Sequence, residues 1–324
     1  MKQTVSILIP CYNAEQWIAQ TIRSALGQSY PHTEVIVVDD GSTDNSVAVI
    51  QSFDGLIQWE TQSNQGGNPT RNRLFELSTG EWIQYLDSDD YLLPDKIEKQ
   101  LAILAQAPQA DVIYSPSIFE YWEQHHSRQQ VLPIPEPHDP WILLARWYLP
   151  QTGSPLWRKS AIAQVGGWKM DQPCCQEHEL YLRLLMAGKN FVYYDQPGSI
   201  YRQWSEETVC RKDMRQTYTQ RLIIEDRMEK HLSVTNQLTK ERQHAINQAR
   251  FECARKIWLF NRNWAKQIIK QINSSEPSFQ PSGNAAPKSY QLTYELLGFN
   301  FAEEIAGSKR KLSLFLSNFK CKAT

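Results

Sequence analysis

Apolar and polar positions alternate in blocks through the first hundred residues. Val5 to Ile9 is a run of strand length, apolar except for Ser6, as expected of a strand buried on both faces. From Glu15 to Leu26 the period changes. Trp17, Ile18, Ile22, Ala25 and Leu26 fall on one side at helical spacing. Glu34 to Val38 is a β-branched run that stops at Asp39-Asp40-Gly41. Ser42 and Asp44 then offer caps for a helix over Asn45 to Phe53. The pattern next predicts a strand at Ile57 to Glu60, a helix at Thr70 to Leu77 and a strand at Glu81 to Leu86. A helix follows over Pro94 to Gln106, with proline near its first turn. Strands separated by helices predict βαβ units and an α/β domain with a mostly parallel sheet. Ligands of such sheets bind beyond the carboxyl ends of the strands. Asp39-Asp40 and Asp87-Ser88-Asp89-Asp90 stand at two of those ends.

Further along, Asp111 to Pro116 predicts a strand, and the polar, proline-rich His125 to Pro140 predicts a loop. A short strand at Pro155 to Arg158 leads into a helix at Lys159 to Val165 and a Gly166-Gly167 stop. Glu177 to Ala187 has helical spacing, with Leu180, Leu184 and Leu185 inward. After about Arg215 the texture changes. The stretch to Ile272 is helix-compatible and lacks Pro and Gly. Residues 273–289 are rich in Ser, Pro, Asn and Gly and predict a flexible linker. Residues 290–324 predict two short helices. The expected organisation is a domain over 1–215, a helical extension over 216–272, the linker, and a helical tail.

Composition narrows the class. The chain has 324 residues, with 34 Lys and Arg against 35 Asp and Glu, so no general basic face argues for nucleic acid. Cys11, Cys174, Cys175, Cys210, Cys253 and Cys321 form no CxxC pair, and reduced thiols in a cytosolic compartment are the expectation. The amino-terminal apolar run is short and broken by Pro10, which predicts a strand rather than a signal peptide. No stretch reaches the roughly 18 apolar residues of a membrane span. A cytoplasmic protein is therefore expected, with any membrane contact peripheral. The tail mixes cations with bulky apolar residues. It has Trp258, Trp264 and Lys266, then Lys309-Arg310-Lys311 near Leu312, Leu314, Phe315 and Leu316. Helices packed on the domain with a solvated basic face are the ordinary expectation, with the inner face of a membrane as the alternative.

The acidic clusters carry the candidate chemistry. A carboxylate at Asp39 or Asp40 can accept from the imide N–H of a uracil ring. In an extended segment Asp87 and Asp89 point to one side, where they can share a divalent cation, which wants oxygen ligands. The string VSILIPCYNAEQWIAQTIRSALGQSYPHTEVIVVDDGSTDNS, followed by NQGGNPTRNRLFELSTGEWIQYLDSDDYLLPDKI, resembles the family 2 glycosyltransferases of the GT-A fold. The resemblance covers about the first 105 residues and resumes around Arg158 to Arg183. It combines DDGSTD at a strand end, N-G-x-x-x-x-R-N, and G-E-W-I-x-x-L-D-S-D-D in one order.

The resemblance implies a nucleotide-sugar half over 1–105 and an acceptor half over 106–215. It places Pro10, Tyr12 and Asn13 in the first nucleotide-contacting loop. It puts Asp40 on the base with Asp39 in support, and Arg71 toward the diphosphate. Asp87 and Ser88 face the donor, and Asp89, helped by Asp87, holds Mn2+ or Mg2+. The segment Gln176-Glu177-His178-Glu179-Leu180-Tyr181-Leu182-Arg183 is similar to the family's E-D-x-D-L-x-L-R. Glu177 then stands where inverting members carry their general base. Glu179 is the rival carboxylate. The family often has a His shortly after a Tyr-Arg pair, and here Tyr201-Arg202-Gln203 is followed by Trp204. Arg202 and Arg211 are left as phosphate contacts, and Trp168, Glu179 and Trp204 as acceptor-side candidates, with core packing an equal alternative for Trp168 and a helix-surface charge the alternative for Glu179. The implied reaction is inverting transfer from a nucleoside diphosphate sugar, UDP-linked by expectation. The acceptor would be a glycan, a lipid-linked or a small-molecule hydroxyl. A catalytically idle nucleotide- or sugar-binding module is the first alternative. A sugar nucleotidyltransferase ranks last, because Pro10-Cys11-Tyr12-Asn13 lacks a glycine-rich basic phosphate loop.

Overall fold

The computed structural model describes residues 3–123, 126–204 and 213–320, the side chains of Glu123 and of 308–320 aside. It divides into two compact units, 1–212 and 213–324. The first unit runs β1 (Val5–Cys11), α1 (Ile18–Leu26), β2 (Thr33–Asp39), α2 (Ser46–Gln51), β3 (Gln58–Thr61), α3 (Gly67–Leu77) and β4 (Trp82–Tyr85). It continues through β5 (Tyr91–Leu92), α4 (Lys96–Ala102), β6 (Val112–Tyr114), β7 (Ser117–Glu123), β8 (His126–Leu132), α5 (Pro140–Ala145) and β9 (Leu156–Arg158). Helices α6 (Lys159–Gln164) and α7 (Gln176–Met186) precede β10 (Phe191–Tyr193) and β11 (Ser199–Gln203).

Seven strands form the main sheet in the order β10-β6-β9-β4-β1-β2-β3. All run parallel except β9, which lies antiparallel between β4 and β6. Val5, Ile7, Leu8 and Ile9 of β1 are fully buried, which is why this strand reads as an apolar run broken only by the buried Ser6. Ile18, Ile22 and Ala25 of α1 pack beneath it in the same core. Because β1, β2 and β4 are parallel neighbours, their carboxyl ends open on one edge. The backbone binds those ends together: Asp40 N donates to Cys11 O at 2.8 Å, and Leu86 N to Leu8 O at 2.9 Å.

A second, four-stranded sheet runs β5-β11-β7-β8. It corrects the expected loop at 125–140. His126 to Leu132 pairs along β7 as an antiparallel edge strand. Its residues are polar and almost all exposed, so they carry no apolar alternation that would mark a strand. Ladder pairing to β7, invisible in the local pattern, holds it.

The second unit holds α8 (Met214–Val234), α9 (Lys240–Ile257), α10 (Arg262–Ser275) and α11 (Lys288–Lys320). Asp213 caps α8, its Oδ1 accepting from Arg215 N at 2.9 Å and Gln216 N at 3.0 Å. Ala265, Ile268, Ile269 and Ile272 recur at helical spacing and form the buried face of α10. The segment read as a linker is ordered against this core. Phe279 is buried among Phe251 and Tyr290, and Ser282 N donates to Gln248 Oε1 at 2.9 Å. In the tail two helices meet at a kink at Gly298 (φ 74°), where the backbone leaves the helical conformation at a position open to glycine.

Candidate active site

The loop after β1 and the loop after β2 are laced together. Asn13, at φ 49°, turns its side chain so that Oδ1 accepts from Thr43 N at 2.8 Å, while its own N donates to Ser42 Oγ at 2.9 Å. Ala14 N donates to Ser46 Oγ, and Asn45 N to Glu15 Oε2. This lacing leaves Tyr12 half exposed at the end of β1. Cys11 just before it is not a nucleophile. Burial, with the charge of Asp39, pushes its thiol up to about 12.

Asp39 and Asp40 are both buried. Asp39 Oδ2 accepts from Gly41 N at 3.2 Å and Ser42 N at 3.1 Å. Asp40 organises the loop that enters α3. Its Oδ1 accepts from Gln62 Nε2 at 2.7 Å and Gln65 N at 2.9 Å, and its Oδ2 from Gly66 N at 2.8 Å. Three of the roughly four lone-pair positions of the Asp40 carboxylate therefore face the protein. Asp39 keeps its Oδ1 without a partner.

The loop after β4 carries the second acidic group. Thr21 Oγ1 of α1 donates to Ser88 O and Asp90 O at 2.8 and 2.7 Å, fixing the turn. Asp87 is held by Arg71 of α3, whose Nη2 lies 2.8 Å from Asp87 Oδ1. Arg71 Nη1 also donates to Gln176 Oε1 at 3.1 Å, at the first residue of α7. Burial would lower the Arg71 guanidinium, but the charges of Asp87 and Glu177 raise it. The arginine thus ties the turn after β4 to the start of the helix that carries Glu177. Asp89 is raised by burial and by the neighbouring Asp87, while a hydrogen bond from Trp204 Nε1 to its Oδ2, at 2.8 Å, opposes the rise.

Glu177 lies in the first turn of α7, where negative charge is favoured. Thr152, fully buried, donates from Oγ1 to Glu177 Oε1 at 2.7 Å. Cys175, immediately before the helix, has φ 58°, a strained position for a residue with a Cβ. Tyr201 of β11 is a further member. Burial and then Asp90 raise its hydroxyl, with Asp87 and Glu177 adding to the rise. Neither Thr152 nor Tyr201 was a candidate from sequence. Thr152 sits in an unpatterned stretch, and Tyr201 reads only as half of a Tyr-Arg pair.

Four sequence candidates make their contacts within the protein. Arg202 is 3% exposed and turns away from a phosphate. Its guanidinium donates to Glu120 Oε2, Asp89 O and Gln20 Oε1 and lies over the rings of Trp17 and Tyr91 at 4.4 and 4.6 Å. Trp168 is 1% exposed, packed edge-on to Tyr85 and under Arg71, so its ring is no platform for an acceptor sugar. Glu179 is buried and paired with Arg183 Nε at 2.7 Å, as a helix brace. Trp204 is exposed, and its Nε1 donates to Asp89 Oδ2. Arg211 lies outside the described residues. Among the described residues, no group of three or more His, Cys, Asp or Glu is arranged to hold a metal ion. No described helix is long and apolar enough to cross a membrane.

Residues 6–157 match the model of glycosyl transferase family 2. Over this segment, a little under half of the chain, the sequence is similar to glycosyl transferase family 2. A glycosyltransferase of Haemophilus influenzae with no assigned role is 43% identical over 106 residues, 32% of this chain and 42% of its own length. TuaG of Bacillus subtilis, a glycosyltransferase named for teichuronic acid biosynthesis, is 38% identical over 109 residues, 32% of this chain and 43% of its own. The chain thus spans less than half the length of these relatives. Among solved structures, S. aureus TarS 1–349 in complex with UDP-GlcNAc matches with a TM-score of 0.61 at 14% identity, covering 95% of this chain and 92% of that one. The mannosyltransferase PcManGT of Pyrobaculum calidifontis, in complex with GDP-Man and Mn2+, matches with a TM-score of 0.50 at 16% identity, covering 96% of this chain and 88% of that one. These likenesses show the fold, which is that of the GT-A glycosyltransferases, with a helical carboxyl-terminal region.

Proposed function

We propose that this chain is an inverting glycosyltransferase that takes a UDP-linked sugar and delivers it to an acceptor hydroxyl. The observation that carries the reading is the Arg71 bridge. It joins the Asp87–Asp89 turn, at the carboxyl end of β4, to the start of the Glu177 helix. The TarS complex with UDP-GlcNAc supports a UDP-linked donor.

Glu177 accepts the proton of the acceptor hydroxyl. The acceptor oxygen forms a bond to the anomeric carbon as the bond to the diphosphate oxygen breaks on the opposite face. The electron pair leaves with the nucleoside diphosphate. Thr152 holds one Glu177 oxygen and so aims the other. A base of this kind contributes about 10²–10⁴-fold in rate.

The residues present fit a divalent cation. Asp87 and Asp89 are hard oxygen donors, and burial, followed by the charge of Asp87, raises the Asp89 carboxyl. Two carboxylates make no closed cage, and such a site suits Mg2+ or Mn2+ completed by diphosphate oxygens. When bound, the cation neutralises charge on the departing diphosphate. The Mn2+ complex of PcManGT supports this assignment.

Donor hydrolysis across a panel of nucleotide sugars, with and without Mn2+, tests the reading. One UDP-sugar should release UDP in the presence of metal. Glu177→Gln should keep donor binding and lose transfer to an acceptor. Nucleotide binding with no turnover of any donor would favour an idle binding module instead.

A further inference from the structure

The loop that carries Thr152 is held in a buried polar cage. Pro150 to Ser154 connect α5 to β9, and Thr152 and Ser154 are fully buried. Side chains from three elements take the carbonyls on both sides of Thr152. Tyr181 Oη of α7 donates to Pro150 O at 2.9 Å. Gln84 Nε2 of β4 donates to Gly153 O at 2.8 Å, and Gln100 Nε2 of α4 to Ser154 O at 3.1 Å. Ser154 Oγ donates in turn to Ser115 O at 2.6 Å. Tyr181 stands one helical turn after Glu177, so α7 grips the loop twice, at Pro150 and at Thr152.

Gln84 and Lys96 are the groups that core packing alone does not explain. Gln84 is fully buried in the middle of β4, and its Oε1 accepts from Lys96 Nζ at the start of α4. Lys96 is itself 2% exposed, and among the described residues no carboxylate pairs with it. Burial lowers its ammonium well below the ordinary lysine value. Lysine is almost never buried unless paired, and two apolar side chains of equal volume would avoid the desolvation. The chain also makes room for it, because a Cβ at Gly198 would fall 2.2 Å from Lys96 Cγ. What the two residues supply is direction. With Lys96 Nζ donating to Oε1, the Gln84 amide N–H is turned toward Gly153 O, and the reverse orientation would set two carbonyl oxygens together. We propose, resting on the reading of Glu177 as the base, that Lys96 and Gln84 are positioning residues: they fix Gly153, and with it the Thr152 hydroxyl that holds Glu177 Oε1.

The test is a mutant cycle read in initial rates of Mn2+-dependent UDP release, with water as acceptor, from the UDP-sugar that the donor panel selects. Gln84→Met with Lys96→Met removes both partners together, so neither is left stranded by the other. Its kcat should fall about tenfold, with donor KM within about twofold of the unaltered chain. Added to Thr152→Val, the Met pair should cost no more than about twofold beyond Thr152→Val alone, because both act through one hydroxyl. Lys96→Met alone is the variant to use if the pair does not fold. It should lose about two- to fivefold in kcat, and that loss should vanish on the Thr152→Val background. Losses that multiply to about 100-fold would show that the pair acts independently of Thr152 and would overturn the proposal. A donor KM that rises as far as kcat falls, or an unchanged kcat in a variant that only melts earlier, would overturn it as well. Glu177→Gln is run alongside. If it loses turnover while the Met pair keeps it, the positioning role fails and the base stands. If Glu177→Gln turns over normally, the base reading fails and takes this proposal with it.

Discussion

Replacing Arg71 by Met removes the connection between the two halves of the proposed site. The guanidinium makes two hydrogen bonds, at 2.8 Å to Asp87 and 3.1 Å to Gln176, and the two members of its ion pair are only 11% and 25% exposed. Hydrogen bonds to charged groups at such burial are worth about 1.5–3 kcal/mol. Met keeps much of the packing under the Trp168 ring, so the loss falls mainly on the polar contacts. Asp87 is left beside Asp89 with no counter-charge, and the start of α7 loses its tether. If this loss appears in the transition state, donor kcat/KM falls roughly 10- to 150-fold. Arg71→Lys should recover part of it, because one ammonium reaches one partner where the guanidinium fork reaches two. Steady-state donor hydrolysis, run well below the melting temperature of each variant, provides the assay. A Met variant that melts earlier but retains donor kcat/KM within about twofold would reduce Arg71 to a packing residue and refute the reasoning.

Thr152→Val is nearly isosteric and removes the hydroxyl on Glu177. We expect kcat for transfer to fall about tenfold with donor KM unchanged, and a change in KM alone would count against the aiming role. Trp204→Phe removes the N–H that occupies Asp89 Oδ2, so the Mn2+ concentration for half-maximal rate should drop about two- to tenfold, as read in a metal titration. In the helical unit, Arg250 is fully buried between Asp226 and Glu229, each at 2.6 Å. Asp226→Asn with Glu229→Gln strands that charge and should cost about 3–5 kcal/mol in a urea melt. Burial would raise Glu229, but the hydrogen bond and charge of Arg250 bring it below its ordinary value of 4.5. Its contribution is therefore present above that value and is lost as the pH falls through the lower folded value, so the urea midpoint should decline on acidification below about 4.5.

What was legible in the sequence was local. The apolar run of β1, the β-branched run of β2 and the acidic turns after β2 and β4 are short patterns whose meaning does not depend on distant residues. The helix that carries Glu177 was legible because its spacing lies within one segment, whereas the role of Glu177 came only from the resemblance. The misplaced residues are those decided by remote partners. Arg202 looks like a phosphate ligand until Gln20, 182 residues away, and Glu120 and Trp17 are brought around it. Trp168 is an aromatic after two glycines in sequence, and only the fold puts Tyr85 and Arg71 over its faces. Asp40 reads as a base contact, but the entry to α3 uses three of its acceptor positions. Thr152 carries no pattern at all, and only the approach of α7 gives its hydroxyl a role.

The account rests on a nucleoside diphosphate and a divalent cation meeting at Asp87 and Asp89, with Glu177 on the helix that Arg71 joins to them. Calorimetric titration of UDP into the unaltered chain, Asp89→Ala and Glu177→Gln, each with Mn2+ and with chelator, tests that arrangement directly. The account predicts Mn2+-dependent UDP binding by the unaltered chain, retained in Glu177→Gln and abolished in Asp89→Ala. UDP binding that ignores both the metal and Asp89, or no binding by the unaltered chain, would contradict it.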